Sequence, residues 1–357
     1  MFHRNPNLIQ PPFTPLSTTR PPLFLLHDGG GTIYAYYCLS DLHRPVYGIF
    51  NPHYSRKSTF EGGVPEMGKT YLGFIVDTLF GDDQCDGKVS SSRVRVRPGT
   101  SKAGTGTTWS GKEEEEDRMN ENENENNERD LILGGWSQGG MTSLEVARKV
   151  LDFNAAEAAA AAQKTGKQAR KLNVLGIVMI DSMNPSPSSY PHDVKIANPN
   201  ATTMLWGPHT KPETKEAVSR CFYEARRITA CWEMPTWPSA AAAAASEDFE
   251  GSHDGESTCK KMGPPPVVLL RAKEYVPLQE EQVATGEVSR TDVHRKDELL
   301  GWGKYAEGMV RKVIHVEGNH FNLFTDAKRA EMVTRRVREA CEFLEGLWKQ
   351  GKDGGMR

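Results

Sequence analysis

Short apolar runs recur along the chain, each closed by glycine, proline or a polar turn, with longer segments of helical apolar spacing between them. Leu23-Phe24-Leu25-Leu26, Pro45 to Phe50, Leu131-Ile132-Leu133, Val174 to Ile180, Val267-Val268-Leu269-Leu270 and Val313 to Val316 read as strands. Ile33 to Leu42, Thr70 to Phe80 and Met141 to Phe153 read as helices, the last prolonged through Ala155 to Ala162 because alanine is the best helix former. The closing segment, Asp326 to Trp348, is amphipathic through Val333, Val337, Cys341, Leu344 and Trp348. This alternation predicts an α/β chain, with a mostly parallel central sheet and helices on both faces.

The alternation is interrupted where composition shifts. Residues 1–21 read as an irregular leader, since Pro11, Pro12, Pro15 and Pro21 block helix and central strand. Residues 81–130 begin basic and end acidic, the stretch from Gly111 to Asp130 holding ten acids against three bases. Such a segment buries too little apolar surface to order itself, so a disordered surface insertion is expected. The Pro-, Trp- and Met-rich stretch from Ser182 carries helical pieces near Thr214 to Ala230, and residues 238–263, with Ala240 to Ala245, read as a flexible insertion. The folded domain is expected over 22–348, followed by a tail at 349–357.

A net charge of −3 gives no support to nucleic-acid binding or to a membrane surface role. No stretch approaches about twenty apolar residues, so no membrane span is expected. Cys38, Cys85, Cys221, Cys231, Cys259 and Cys341 are scattered without Cys-x-x-Cys spacing, which disfavours zinc and points to a reduced, cytoplasmic chain. No metal site is expected.

Chemistry concentrates at Gly134-Gly135-Trp136-Ser137-Gln138-Gly139-Gly140, directly after an apolar strand and before a helix. Gly-x-Ser-x-Gly in that context is a tight strand-to-helix turn that holds a serine hydroxyl at its tip. A serine hydroxyl attacks only when a base takes its proton, and the base needs an acid to fix its tautomer. Asp181 closes the next strand and His320 follows the last one, in the order Ser, acid, His, and all three fall at C-terminal strand ends. Glu274, one strand later, is the rival acid, and Asp292 a weaker one. Asp181 also has a structural reading, as a cap before Pro185. His27 reads as a structural strand-end residue and His315 as strand structure.

The glycine cluster His27-Asp28-Gly29-Gly30-Gly31 ends the first strand and has no Gly-Lys-Ser/Thr after it, which disfavours a phosphate loop. It suits an oxyanion site, whose expected donors are the backbone N–H groups of Gly29 and Gln138. Ser182 follows a buried strand rather than a polar loop, so it is not read as the phosphopantetheine-bearing serine of a carrier domain.

These pieces together resemble the thioesterase domains of polyketide and non-ribosomal peptide synthases, especially fungal ones. The likeness rests on Leu25 to Gly31, Pro45 to Ile49, Gly134 to Gly140, Glu145-Val146-Ala147-Arg148, Ile180-Asp181-Ser182 and Gly318-Asn319-His320-Phe321. It implies an α/β-hydrolase fold with Ser137 as nucleophile, Asp181 as acid, His320 as general base, and a helical lid over about 182–235. It further implies a free-standing enzyme of secondary metabolism. Its substrate would be an acyl, polyketide or peptide chain on the phosphopantetheine arm of a carrier protein in a separate synthase, with no cofactor of its own. Gln138 departs from the small residue usual after the serine. A carboxylesterase or lipase with the same triad, and a non-catalytic hydrolase-fold binding protein, remain as alternative readings.

Overall fold

The computed structural model describes residues 4–12, 14–56, 58–81, 127–163, 168–198, 206, 209–238 and 263–353. The two expected insertions lie almost wholly outside the described residues, as does the end of the tail.

The central sheet has seven strands: β1 (Asn7–Gln10), β2 (Leu23–Leu26), β3 (Val46–Ile49), β4 (Glu128–Trp136), β5 (Lys171–Ile180), β7 (Val267–Ala272) and β9 (Val310–Val316). Their spatial order is β1-β3-β2-β4-β5-β7-β9, parallel throughout except for β1, which runs antiparallel along the edge. β4 stands in the middle. A second, two-stranded sheet pairs β6 (Lys195–Ile196) with β8 (Glu287–Val288).

Side chains on each strand alternate between two cores, as a pleated strand requires. Phe24, Leu26, Leu131, Leu133, Ile177 and Met179 pack on one face with α2 (Gly63–Phe80) and α3 (Gln138–Ala162). Leu23, Leu25, Ile132, Val178 and Ile180 pack on the other face with the closing helix. That helix spans Ala327–Asp353 and contributes Val333, Val337, Cys341 and Leu344, the stripe read from its spacing. A mostly parallel sheet with covered faces and the serine turn on its middle strand is the α/β-hydrolase arrangement.

Three expectations need correction. The leader contains β1 and a one-turn helix, α1 (Pro15–Thr19). Its prolines are tolerated because Pro11 and Pro12 fall in the link after β1 and Pro15 opens the helix, where no N–H is required. Ile33 to Leu42 is not an α-helix. A 3₁₀ segment covers Tyr34–Cys38 alone, with Tyr36 drawn inward so that its hydroxyl donates to the Leu26 carbonyl at 2.6 Å. The third helix begins at Gln138 rather than Met141, so the turn and helix are continuous. No helix among the described residues is long and apolar enough to cross a membrane.

Candidate active site

The serine turn is built by close approach. A Cβ on Gly135 would meet the Leu26 carbonyl oxygen at 2.6 Å, and one on Gly139 would strike the same oxygen. Without those side chains β4 and α3 sit tight against the end of β2. Ser137 then takes φ 57° and ψ −118°, a strained conformation that presents Oγ at the tip. Tyr36 locks the turn from below: its hydroxyl accepts the Trp136 N–H at 2.8 Å while donating to Leu26.

Three strand ends converge here. His320 Nε2 lies 3.0 Å from Ser137 Oγ, and His320 Nδ1 lies 2.8 Å from Asp181 Oδ2. The carboxylate therefore faces the Nδ1 proton and leaves the Nε2 lone pair toward the hydroxyl. Trp136 holds the histidine loop, its Nε1 donating to the His320 carbonyl at 3.1 Å. Glu274 is exposed two residues beyond the end of β7, and Asp292 bonds the Val276 N–H rather than the imidazole. Of the three acids weighed from sequence, the structure brings Asp181 to His320. His27 is buried in hydrogen bonds to Tyr71 and to the Asp28 carbonyl, and His315 stands on β9 against Glu298.

Gly29, Gln138 and Ser137 line one cavity of about 520 Å³, whose walls include Met141, Met183 and Phe222. Its roof is α4 (Pro212–Ala230), the helical piece expected in the 182–235 stretch. Phe222 packs so closely that a Cβ on Gly29 would meet its ring at 2.9 Å. The segment after α4 is tied back to the body of the domain by Trp232 Nε1 donating to Glu145 Oε2 at 3.0 Å, and by Arg148 Nε donating to the Thr236 carbonyl at 3.0 Å. Gln138 keeps its side chain buried under the turn, with Nε2 unpartnered among the described residues.

No protein-family model matches the chain. It is 27% identical over 328 residues to the probable thioesterase gloN of Glarea lozoyensis, with 90% of each chain covered. It is 28% identical to the thioesterase frbE of a Dothideomycetidae species, covering 91% of this chain and 90% of that one. The chain is a relative of fungal thioesterases. The resemblance read from its motifs is borne out, and with it the hydrolase class. Among solved structures, the NocB thioesterase domain from the nocardicin cluster superposes with a TM-score of 0.46 at 17% identity, over 90% of this chain and 94% of that one.

In this thioesterase relative the electrostatics around Ser137, His320 and Asp181 are set by burial against pairing. Burial pushes the Asp181 carboxyl up, but hydrogen bonds from Arg295 and His320 outweigh it and hold the group well below the usual carboxylate range. Asp28, beside the expected oxyanion donors, is lifted by burial to about 6 against the N–H bonds of Gly30 and Thr32.

Sequence reasoning missed Arg295. Its Nη1 and Nη2 grip the two Asp181 oxygens at 2.7 and 2.8 Å, although it lies 114 positions away in a polar loop. Nothing in local pattern marks such a residue, because the pairing exists only after the 290–295 loop folds against β7.

Proposed function

We propose that the chain is a serine thioesterase, releasing or editing an acyl, polyketide or peptide chain held as a phosphopantetheine thioester on a separate carrier protein. The observation that carries this reading is the Ser137–His320–Asp181 hydrogen-bond chain opening into a largely apolar, helix-roofed cavity. Ser137 Oγ attacks the thioester carbonyl as His320 Nε2 takes its proton. The backbone N–H groups of Gly29 and Gln138 receive the developing oxyanion, and Asp181 stabilises the imidazolium. His320 then protonates the departing pantetheine thiolate, leaving an acyl-serine ester. Water or a nucleophile within the acyl chain, deprotonated by the same imidazole, attacks that ester and frees Ser137.

The carrier itself supplies the test. Acyl-pantetheine thioesters and aryl esters of the same acyl group are compared for turnover, with α4 and its anchors intact. Preferential turnover of the thioester is expected. Equal or better turnover of the free ester would favour a carboxylesterase, and turnover of neither would favour a binding protein.

A further inference from the structure

The carboxylate behind His320 is itself held by a buried ion pair. Arg295 spends both terminal nitrogens on Asp181, and its Nη1 also donates to the Ala272 carbonyl at 2.8 Å. Its Nε donates to Asp292 Oδ1 at 2.9 Å, while Asp292 Oδ2 accepts the Val276 N–H at 2.7 Å. Ala272 returns a backbone N–H to Asp181 Oδ1 at 2.9 Å. Asp181, Asp292 and Arg295 are each at most 2% exposed. The chain thus runs without a break from Asp292 through Arg295, Asp181 and His320 to Ser137.

Three charges buried together carry a large desolvation cost, and apolar residues of similar volume often stabilise a fold as well. Their placement has a chemical reason. Arg295 alone would cancel the charge of Asp181 and leave the imidazolium nothing to face. Asp292 adds a second negative charge, so the three groups together present one net negative charge toward His320.

We propose that Arg295 and Asp292 are positioning residues for this site, Arg295 fixing the orientation of Asp181 and Asp292 restoring the negative charge that the His320 imidazolium requires. The inference rests on the serine mechanism proposed above. Charged groups reach His320 from three elements: Asp181 at the end of β5, Asp28 at the end of β2, and Asp292 with Arg295 on the loop packed against β7. The elbow contributes only the uncharged Ser137 and Trp136. Burial lifts the Asp292 carboxyl above its ordinary value, with the Arg295 charge and the Val276 N–H opposing.

The test is the rate at which a fluorophosphonate labels Ser137, followed across pH in wild type, Asp292→Asn, Arg295→Gln and Arg295→Lys, with melting temperature recorded for each. Asp292→Asn is isosteric and removes one negative charge, so the pH midpoint of labelling falls, by about half a unit or more. Arg295→Gln removes a positive charge, so the midpoint rises, and loss of the bidentate grip lowers the plateau rate about ten- to a hundredfold. Arg295→Lys restores the midpoint but not the plateau, because it keeps the charge without the fork. Midpoints that stay at the wild-type value while only melting temperatures change overturn this inference alone. A wild type unlabelled at every pH overturns the serine mechanism as well.

Discussion

Trp136 Nε1 donates to the backbone carbonyl of His320 over 3.1 Å, and the two rings lie 5.6 Å apart between centroids. The residue just before the serine therefore holds the loop that carries the histidine. Sequence places them 184 positions apart; the central strand and the last strand bring them together.

That bond makes the first prediction. Trp136→Phe keeps an aromatic ring in place but removes the donor and part of the indole's packing against Phe324, so the fold loses about 1–3 kcal/mol. Labelling of Ser137 slows more than this stability loss explains, by about tenfold, because the imidazole is less well aimed. Denaturant titration and labelling kinetics on one preparation separate the two effects. An unchanged labelling rate would mean that the loop holds itself.

Glycine positions give a second, internally controlled prediction. Gly139→Ala drives a methyl into the Leu26 and His27 carbonyls and loses the folded protein. Gly346→Ala, in the closing helix, meets nothing within 4 Å and stabilises by about 0.5–1 kcal/mol. In thermal scans Gly346→Ala is expected to melt above wild type and Gly139→Ala to show no folding transition.

The roof supplies a third. Trp232→Phe removes its bond to Glu145 and leaves that buried carboxylate with Lys149 as its partner among the described residues, at a cost of about 1–3 kcal/mol. Hydrogen exchange accelerates in α4 while β4 and β5 stay protected. Uniform acceleration across the sheet would place the anchor in the global core instead.

His27 and Asp28 are adjacent and titrate in opposition. Burial lowers His27 from 6.5 to about 4, so its contribution to stability is present above about pH 6.5 and lost as pH falls through about 4. Burial raises Asp28 from 3.8 to about 6, so its contribution is present at low pH and lost as pH rises through about 6. Asp28→Asn therefore leaves stability rising with pH between about 4 and 6, and His27→Gln leaves it falling, each on the order of 2 kcal/mol. Urea midpoints across that window check both signs, and parallel slopes in the two variants would refute the assignment.

Much of this architecture was legible in the chain. β2, β4, β5 and β7 announce themselves as unbroken apolar runs because parallel strands are buried on both faces. Ser137, Asp181 and His320 were legible because each sits at a strand end that the runs define. β1, β6 and β8 were not, since their residues are mixed or largely exposed and they take their identity from a distant partner rather than from an apolar run. The 3₁₀ turn at Tyr34–Cys38 escaped for a related reason: the inward pull on Tyr36 comes from Leu26 and Trp136. Sequence preferred Asp181 but left Glu274 as a rival, because both follow apolar strands; what separates them is side-chain geometry, Asp181 Oδ2 lying 2.8 Å from His320 Nδ1 although β7 is the strand nearer β9.

The central claim is that Ser137 carries the acyl chain. Intact-protein mass spectrometry after brief mixing with an acyl-pantetheine thioester is expected to detect the wild-type mass increased by one acyl group, mapped to the Ser137 peptide, and no adduct on Ser137→Ala. Thioester turnover by folded Ser137→Ala at the wild-type rate would contradict the account.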